Sequence, residues 1–258
     1  MNDLQRIALA AQRAAQAASE FIVNSSAPGI AWDSKGKPGD YVTEVDREAE
    51  RIIRDTLAAA EPGVPFHGEE SGGGDIEDGW LVDPLDGTTN FVHGFPAVGV
   101  AIAFMDGGQP QVGVVGAPFL GETYVGISGV GAWRNGDNIE VSDRPPERAV
   151  CATGFPFKHP DRLDAYERVF SKALRRFEDL RRPGAAALDA AWVGSGVFEG
   201  FFELGLSPWD MAAGAAVVRG AGGVVTDWQG EPNRWLLSGD VLMGNPQTHA
   251  ALLDVVAS

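Results

Sequence analysis

Residues 80–91 run Trp80-Leu81-Val82-Asp83-Pro84-Leu85-Asp86-Gly87-Thr88-Thr89-Asn90-Phe91. Trp80 to Val82 is an apolar run of strand type that ends in an aspartate. Pro84 keeps the residue before it out of the helical region, and a second aspartate follows three positions after the first. The two carboxylates are therefore expected to leave one turn together. Gly87 lets backbone come close to a ligand, and Thr88-Thr89-Asn90 brings hydroxyls and amide N–H groups of the kind that open a helix. Carboxylates beside oriented N–H donors suit a divalent cation next to a phosphate. The same residues also make an ordinary surface turn. Apolar flanks on both sides, Trp80 to Val82 and Phe91-Val92, favour a turn away from solvent, where carboxylates need a partner and a metal ion is one.

The chain has 258 residues, 44% hydrophobic and 22% charged, which fits a globular enzyme of one large domain or two lobes. No apolar run approaches the roughly 20 residues of a membrane span. The first residues, Met1-Asn2-Asp3-Leu4-Gln5-Arg6, lack the basic and apolar regions of a signal peptide, so a cytoplasmic protein without membrane attachment is expected. The single cysteine, Cys151, excludes an internal disulfide and reads as a small core residue. With 20 basic against 36 acidic residues the net charge is -16, which disfavours nucleic acid as a partner. A phosphorylated small molecule stays open, because bound cations reverse the local sign.

Outward from the opening stretch, Leu4, Ile7, Ala8, Ala11, Ala15 and Ala18 mark a helix over residues 3 to about 22. Residues 27–40, with Pro28, Gly29, Gly36, Pro38 and Gly39, read as a loop that carries Lys35 and Lys37. Thr43 and Asp46 have the spacing of a capping box ahead of a second helix. A cap and a functional carboxylate are compatible readings of Asp46. Val64 to His67 reads as a short strand running into Gly68-Glu69-Glu70-Ser71 and a glycine run, either a solvated connection or a means of delivering Glu69 to a site. His67 reads as structural. From Val98 to Val141 the pattern is a series of antiparallel hairpins, with Asn135-Gly136 in one turn.

Pro145-Pro146 is the expected boundary between a lobe of residues 1–145, two helices on a mostly antiparallel sheet, and an α/β lobe of residues 146–258, the two forming one compact unit. In the second lobe Val150 to Thr153, Val197 to Leu204, Val224 to Asp227 and Val241 to Gly244 read as strands. Helices are expected over Asp161 to Phe177, from about Pro183 to Gly194, from Ser207 to Gly222 and after Asn245-Pro246. Ser207-Pro208-Trp209-Asp210 has a cap, a proline at the first helical position and an acid at the third.

Asp46 and Asp210 thus stand at helix starts, Glu69 after a strand, and Asp83 with Asp86 in the opening stretch. Oxygen ligands without a Cys or His pair select hard cations, Mg²⁺ first. There is no Gly-x₄-Gly-Lys-Ser/Thr loop, no Gly-x-Gly-x-x-Gly after a strand and no Gly-x-Ser-x-Gly, so nucleotide transfer, dinucleotide redox and serine hydrolysis lose support. An aspartyl nucleophile wants two aspartates at i and i+2, whereas these lie at i and i+3. A metal-activated water is the better nucleophile.

Four ordered motifs resemble the inositol monophosphatases, within the wider group of lithium-sensitive, magnesium-dependent sugar phosphatases. They are Val42-Thr43-x-x-Asp46, Gly68-Glu69-Glu70-Ser71, Asp83 through Phe91, and Trp209-Asp210-x-Ala212-Ala213-Gly214 leading to Ala221-Gly222-Gly223, and they span nearly the whole chain. The resemblance implies an αβαβα layered sandwich, of α+β or α/β class, and a homodimer. It implies that Glu69, Asp83, Asp86, Asp210 and the carbonyl of Leu85 bind two or three Mg²⁺ ions, Asp83 bridging two. Catalytic roles fall to Glu69, Asp46 and Thr88, the last two orienting the attacking water, while the N–H groups of Gly87 and Thr88 hold phosphate. Glu203 would contact inositol hydroxyls, the backbone of Gly184, Ala185 and Ala186 would line the same pocket, and Asp210 would face the substrate. Lys35 falls at the family's metal-loop lysine, with Lys37 as a competing choice. Helix starts at Thr43, Thr88 and Ser207 are expected to face one anion. Inositol 1-phosphate is the expected substrate of this phosphorylated-polyol class. Histidinol phosphate or fructose-1,6-bisphosphate are alternatives within the family, and a non-catalytic regulatory binding protein is an alternative outside it.

Overall fold

The computed structural model describes residues 3–26, 32–34, 41–72 and 77–257. The alanine-rich start forms α1 (Asp3–Ser25), which buries Ile7, Ala11, Ala15, Ala18 and Ile22 in one stripe. A short antiparallel pair follows, β1 (Trp32–Ser34) with β2 (Tyr41–Thr43). A strand at residues 32–34 corrects the loop expected there; three residues are too few to show the alternation that marks a strand. Lys35 and Lys37 lie outside the described residues. Thr43 then caps α2 (Glu44–Ala60), with Asp46 closing the capping box as its spacing predicts.

The first sheet has β3 (Phe66–Gly68) and β4 (Gly79–Asp86), then, after α3 (Thr88–His93), β5 (Gly99–Asp106), β6 (Gln109–Ala117), β7 (Glu122–Ile127), β8 (Gly131–Arg134) and β9 (Asp137–Asn138). These seven strands lie in sequence order. All neighbours pair antiparallel except β3 with β4. The hairpin between β8 and β9 turns on Asn135 (φ 51°) and Gly136 (φ 89°), both left-handed as a two-residue turn demands.

The second sheet comes from β10 (Val150–Thr153), β11 (Asp179–Arg181), β12 (Gly200–Glu203), β13 (Val224–Thr226) and β14 (Val241–Gly244), in the order β11-β10-β12-β14-β13. Helices α4 (Leu163–Arg176), α5 (Ala186–Gly194), α6 (Pro208–Gly220), α7 (Trp235–Ser238) and α8 (Pro246–Ala257) alternate with them. Several limits differ from expectation. Strand β12 starts at Gly200 because the N–H groups of Val197 and Phe198 both donate back to the Trp192 carbonyl at the end of α5. Helix α4 starts at Leu163 behind a 3₁₀ turn over Pro160–Arg162. Helix α5 starts at Ala186, past the extended Ala185.

The two sheets and the helices stack as five layers. Helices α1 and α2 cover one face of the first sheet through Val82, Val100, Ile102, Val112 and Val114. Its other face carries Ala101, Ala103, Val115 and Ala117 and packs on α5 and α6, which in turn meet Phe201 and Met243 of the second sheet. Their strand neighbours Phe202 and Leu242 point the opposite way into a core with α4 and α8. Apart from Asp189 in α5 and Asp210 and Arg219 at the ends of α6, the central pair is hydrophobic all round, as a helix layer between two sheets must be. Close approach there depends on absent side chains. A Cβ at Gly113 would stand 2.2 Å from the Ala213 carbonyl oxygen, and one at Gly126 would stand 2.3 Å from that of Ala216. Among the described residues no helix is long and apolar enough to cross a membrane.

Candidate active site

Asp83 and Asp86 lie at the end of β4, which continues through Pro84 and Leu85 rather than turning after Val82. In a regular strand residues three apart face opposite sides. Here the register slips: Asp83 pairs with Ala101 and Asp86 with Gly99, so one extra residue bulges out of β4 and both carboxylates reach the same cavity. The turn expected at this point is therefore a bulged strand end. The Leu85 N–H donates to Asp83 Oδ1 at 3.0 Å.

Asp86 is held from another part of the chain. Its carboxylate accepts from the N–H groups of Ala186 (3.1 Å) and Ala187 (2.8 Å), so it caps α5 from 100 residues away. Gly87 follows with φ 87°, and a Cβ there would meet the Ala97 carbonyl oxygen at 3.0 Å and the Ala185 Cβ at 3.3 Å. Ala185 is fully buried behind the cavity, whereas Gly184 and Ala186 line it.

Two more elements bring their acids to the same place. Glu69 follows β3, its own N–H donating to the Val82 carbonyl at 3.0 Å. Asp210, third residue of α6, accepts from the Ser207 N–H at 2.7 Å. Oxygen atoms of Glu69, Asp83 and Asp210 all lie within 4.8 Å of one another. Asp46 is buried rather than on the cavity wall; it is linked to the wall by Thr88, whose hydroxyl donates to Asp46 Oδ1 at 2.9 Å and stands 3.2 Å from the Leu85 carbonyl. The starts of α3 and α6 thus face one cavity through Thr88 and Ser207, whereas that of α2 does not line it and lies one hydrogen bond behind, through Asp46 and Thr88.

Electrostatics shows what such a gathering demands. Burial, then Glu69, Asp86 and Asp210, push the Asp83 carboxyl well above the usual range. Burial raises Asp86 to about 6 against the pull of the α5 amides. It raises Asp210 to about 7, with Glu69 and Asp86 adding to the shift. Asp46 is also raised, first by burial, and its hydrogen bonds to Thr43 and Thr88 pull the other way. Buried like charges hold protons unless a cation replaces them, so oxygen donors in this arrangement fit a hard divalent ion.

Glu203, at the end of β12, lines the cavity's far wall, and burial followed by Asp210 raises it to about 8. A Cβ at Gly154 would fall 1.9 Å from Glu203 Oε1, so glycine makes room for that carboxylate. Gly154 to His159 and Arg182 also line the cavity, and the Arg182 guanidinium lies 5.4 Å from the Phe155 ring centroid and 5.5 Å from that of Phe157. Sequence reasoning missed this wall. The only signal was a glycine directly after a strand, in Thr153-Gly154-Phe155-Pro156. Asn90 was read only as part of a helix start; its side-chain amide donates to the carbonyls of Ala97 (2.7 Å) and Pro183 (2.9 Å) and ties α3 to the loop before α5.

A family model described as the inositol monophosphatase family matches residues 3–258. The chain is 41% identical over 248 residues to the Nus factor SuhB of Escherichia coli (strain K12), covering 94% of this chain and 92% of that protein. Among solved structures, extragenic suppressor protein suhB from Bartonella henselae superposes with a TM-score of 0.91 at 37% identity, over 97% of this chain and 98% of that one. Inositol monophosphatase from Anabaena (Nostoc) sp. PCC 7120 superposes with a TM-score of 0.86 at 33% identity, over 99% and 97%.

Proposed function

The chain belongs to the inositol monophosphatase family, and from that membership we propose that it is a Mg²⁺-dependent phosphomonoesterase acting on inositol 1-phosphate. One observation carries this reading: carboxylates of Glu69, Asp83 and Asp210 gather within 4.8 Å in the cavity that also holds Glu203 and Thr88. We assign Glu69, Asp83, Asp86, Asp210 and the Leu85 carbonyl as the groups that would hold two or three Mg²⁺ ions. Bound there, Mg²⁺ supplies Lewis-acid polarisation of the phosphoryl group and lowers the pKa of water.

The chain's own residues do the positioning. Thr88 gives its hydroxyl hydrogen to Asp46, which leaves an oxygen lone pair to accept a hydrogen from the attacking water. Asp46, made more basic by burial, is the acceptor for the proton that passes through Thr88. The N–H groups of Gly87 and Thr88 at the start of α3 donate to the phosphate, and the missing Cβ of Gly87 allows that approach. Glu203 accepts a hydrogen bond from a polyol hydroxyl at the wall formed by Gly184 and Ala186, and the metal ligand Asp210 faces the same substrate.

Phosphate release from inositol 1-phosphate, histidinol phosphate and fructose-1,6-bisphosphate, each with Mg²⁺ and with chelator, tests the reading. Inositol 1-phosphate is expected to turn over fastest, and only with Mg²⁺; Li⁺ is expected to inhibit. Absence of metal-dependent release from all three overturns it. The Escherichia coli relative is named as a Nus factor rather than as an enzyme, and that name favours a second reading, a binding role without hydrolysis. The same assay separates the two. We also propose a homodimer, supported by the exposed apolar side chains Phe95, Leu120 and Val197 around Arg181 to Pro183; a monomer in sedimentation overturns it.

A further inference from the structure

Helix α2 supports the site from behind at two places, through Asp46 to Thr88 and through Glu50. One turn after Asp46, its buried Glu50 reaches the chain that carries Glu69. Glu50 Oε2 accepts from the Glu70 N–H at 2.8 Å and the Ser71 N–H at 3.4 Å, while Oε1 accepts from Arg54 at 2.8 Å. On the other side of Glu69, a Cβ at Gly68 would come 2.2 Å from Glu50 Oε2, so the backbone there is pressed against the same carboxylate. Residues on both flanks of Glu69 therefore rest on one side chain from a different element. The N–H of Glu69 bonds to the Val82 carbonyl on β4, which fixes the backbone from the sheet side, and the Gly68 N–H bonds to the Gly72 carbonyl at 3.4 Å within the turn.

We propose that Glu50 is a positioning residue for metal binding: it clamps residues 68–71 so that the Glu69 carboxylate meets Asp83 and Asp210. A buried acid is tolerated there because its oxygens accept from two backbone N–H groups and Arg54. The clamp depends on reach rather than charge. Glutamine at this position keeps an acceptor oxygen at the right distance, whereas aspartate keeps the charge but draws it back by one methylene. The inference rests on the phosphatase reading only for which metal is bound; the clamp itself is geometric.

Four variants test it: Glu50→Gln, Glu50→Asp, Glu50→Ala, and Glu48→Ala as a control on the exposed side of the same helix. Binding of Mn²⁺ by electron paramagnetic resonance, Mg²⁺ titration calorimetry, melting temperature and Mg²⁺-dependent phosphate release are measured on each. By analogy with residues that orient metal ligands, Glu50→Ala and Glu50→Asp are expected to weaken metal binding by ~10–100-fold, with kcat at saturating Mg²⁺ within about threefold of wild type. Glu50→Gln is expected to stay near wild type and Glu48→Ala to match it. Metal binding by Glu50→Asp as tight as wild type, with Glu50→Gln weakened, overturns the clamp, as does unchanged binding in all three Glu50 variants. A Glu50→Ala chain that does not fold leaves the comparison of Gln with Asp decisive. Weakened metal binding in a protein whose wild type releases no phosphate would sink the hydrolase reading and leave the clamp standing.

Discussion

Asp83 and Asp86 sit three residues apart on one strand end and face one cavity, yet they carry different loads. Among the described residues Asp83 accepts a local N–H from Leu85, and it is crowded by three other carboxyls. Asp86 accepts from two N–H groups of α5. Their substitutions should therefore separate function from stability. Asp83→Asn keeps the acceptor for Leu85 and removes a charge, so it is expected to lower turnover by at least ~10³, the scale of a lost electrostatic contributor. The same change is expected to raise the melting temperature of the metal-free protein. Asp86→Ala is expected to lower stability by about 1–3 kcal/mol, because buried amides at the start of α5 lose their acceptor. Denaturant titration of chelator-treated protein checks both, and the pairing fails if the two variants melt alike.

Elements bring these residues together through two kinds of contact, only one of which is visible in the chain's own letters. Local signals were legible: the Thr43/Asp46 cap, the Ser207-Pro208-x-Asp210 start of α6 and the Asn135-Gly136 hairpin all appear where the sequence puts them. A bulge is a property of two strands, so nothing within Asp83-Pro84-Leu85-Asp86 reveals that β5 gives up only two residues to its three. Strand β11 and helix α7, three and four residues long, are too short to display a period. Arg182 and Gly154 were invisible as site residues for a similar reason, since each matters through a partner far away in sequence. The tight fit of α6 on the first sheet belongs to this second kind. Gly113→Ala would push a methyl into the backbone of α6 at Ala213, an overpacking expected to cost about 1–3 kcal/mol. Because α6 carries Asp210 at its start, Mg²⁺ affinity is expected to fall in the same variant. A denaturation midpoint and metal affinity both equal to wild type would show that the helix can slide without consequence.

At the scale of the whole molecule, metal and proton compete for one buried store of negative charge, and this links stability to pH. Asp86 rises from 3.8 to about 6, Asp210 from 3.8 to about 7 and Glu203 from 4.5 to about 8 on folding without metal. Between those values the folded state holds more protons than the unfolded chain, so the free energy of unfolding falls as pH rises. The contribution is fully present below the unfolded pKa values and is lost by about pH 8. Chelator-treated protein is therefore expected to melt at progressively lower temperature from about pH 5 to pH 8. The overall charge of -16 also opposes compaction. Ordinary exposed carboxylates are already ionised through most of that window, so the decline reports the buried cluster. Added Mg²⁺ binds the deprotonated acids and is expected to raise the melting temperature more at pH 8 than at pH 5. Asp83→Asn supplies the internal check, since removing the most crowded carboxyl should flatten both the metal-free decline and the Mg²⁺ rescue. A metal-free melting temperature that climbs with pH over this range would mean that the acids are not buried together in solution.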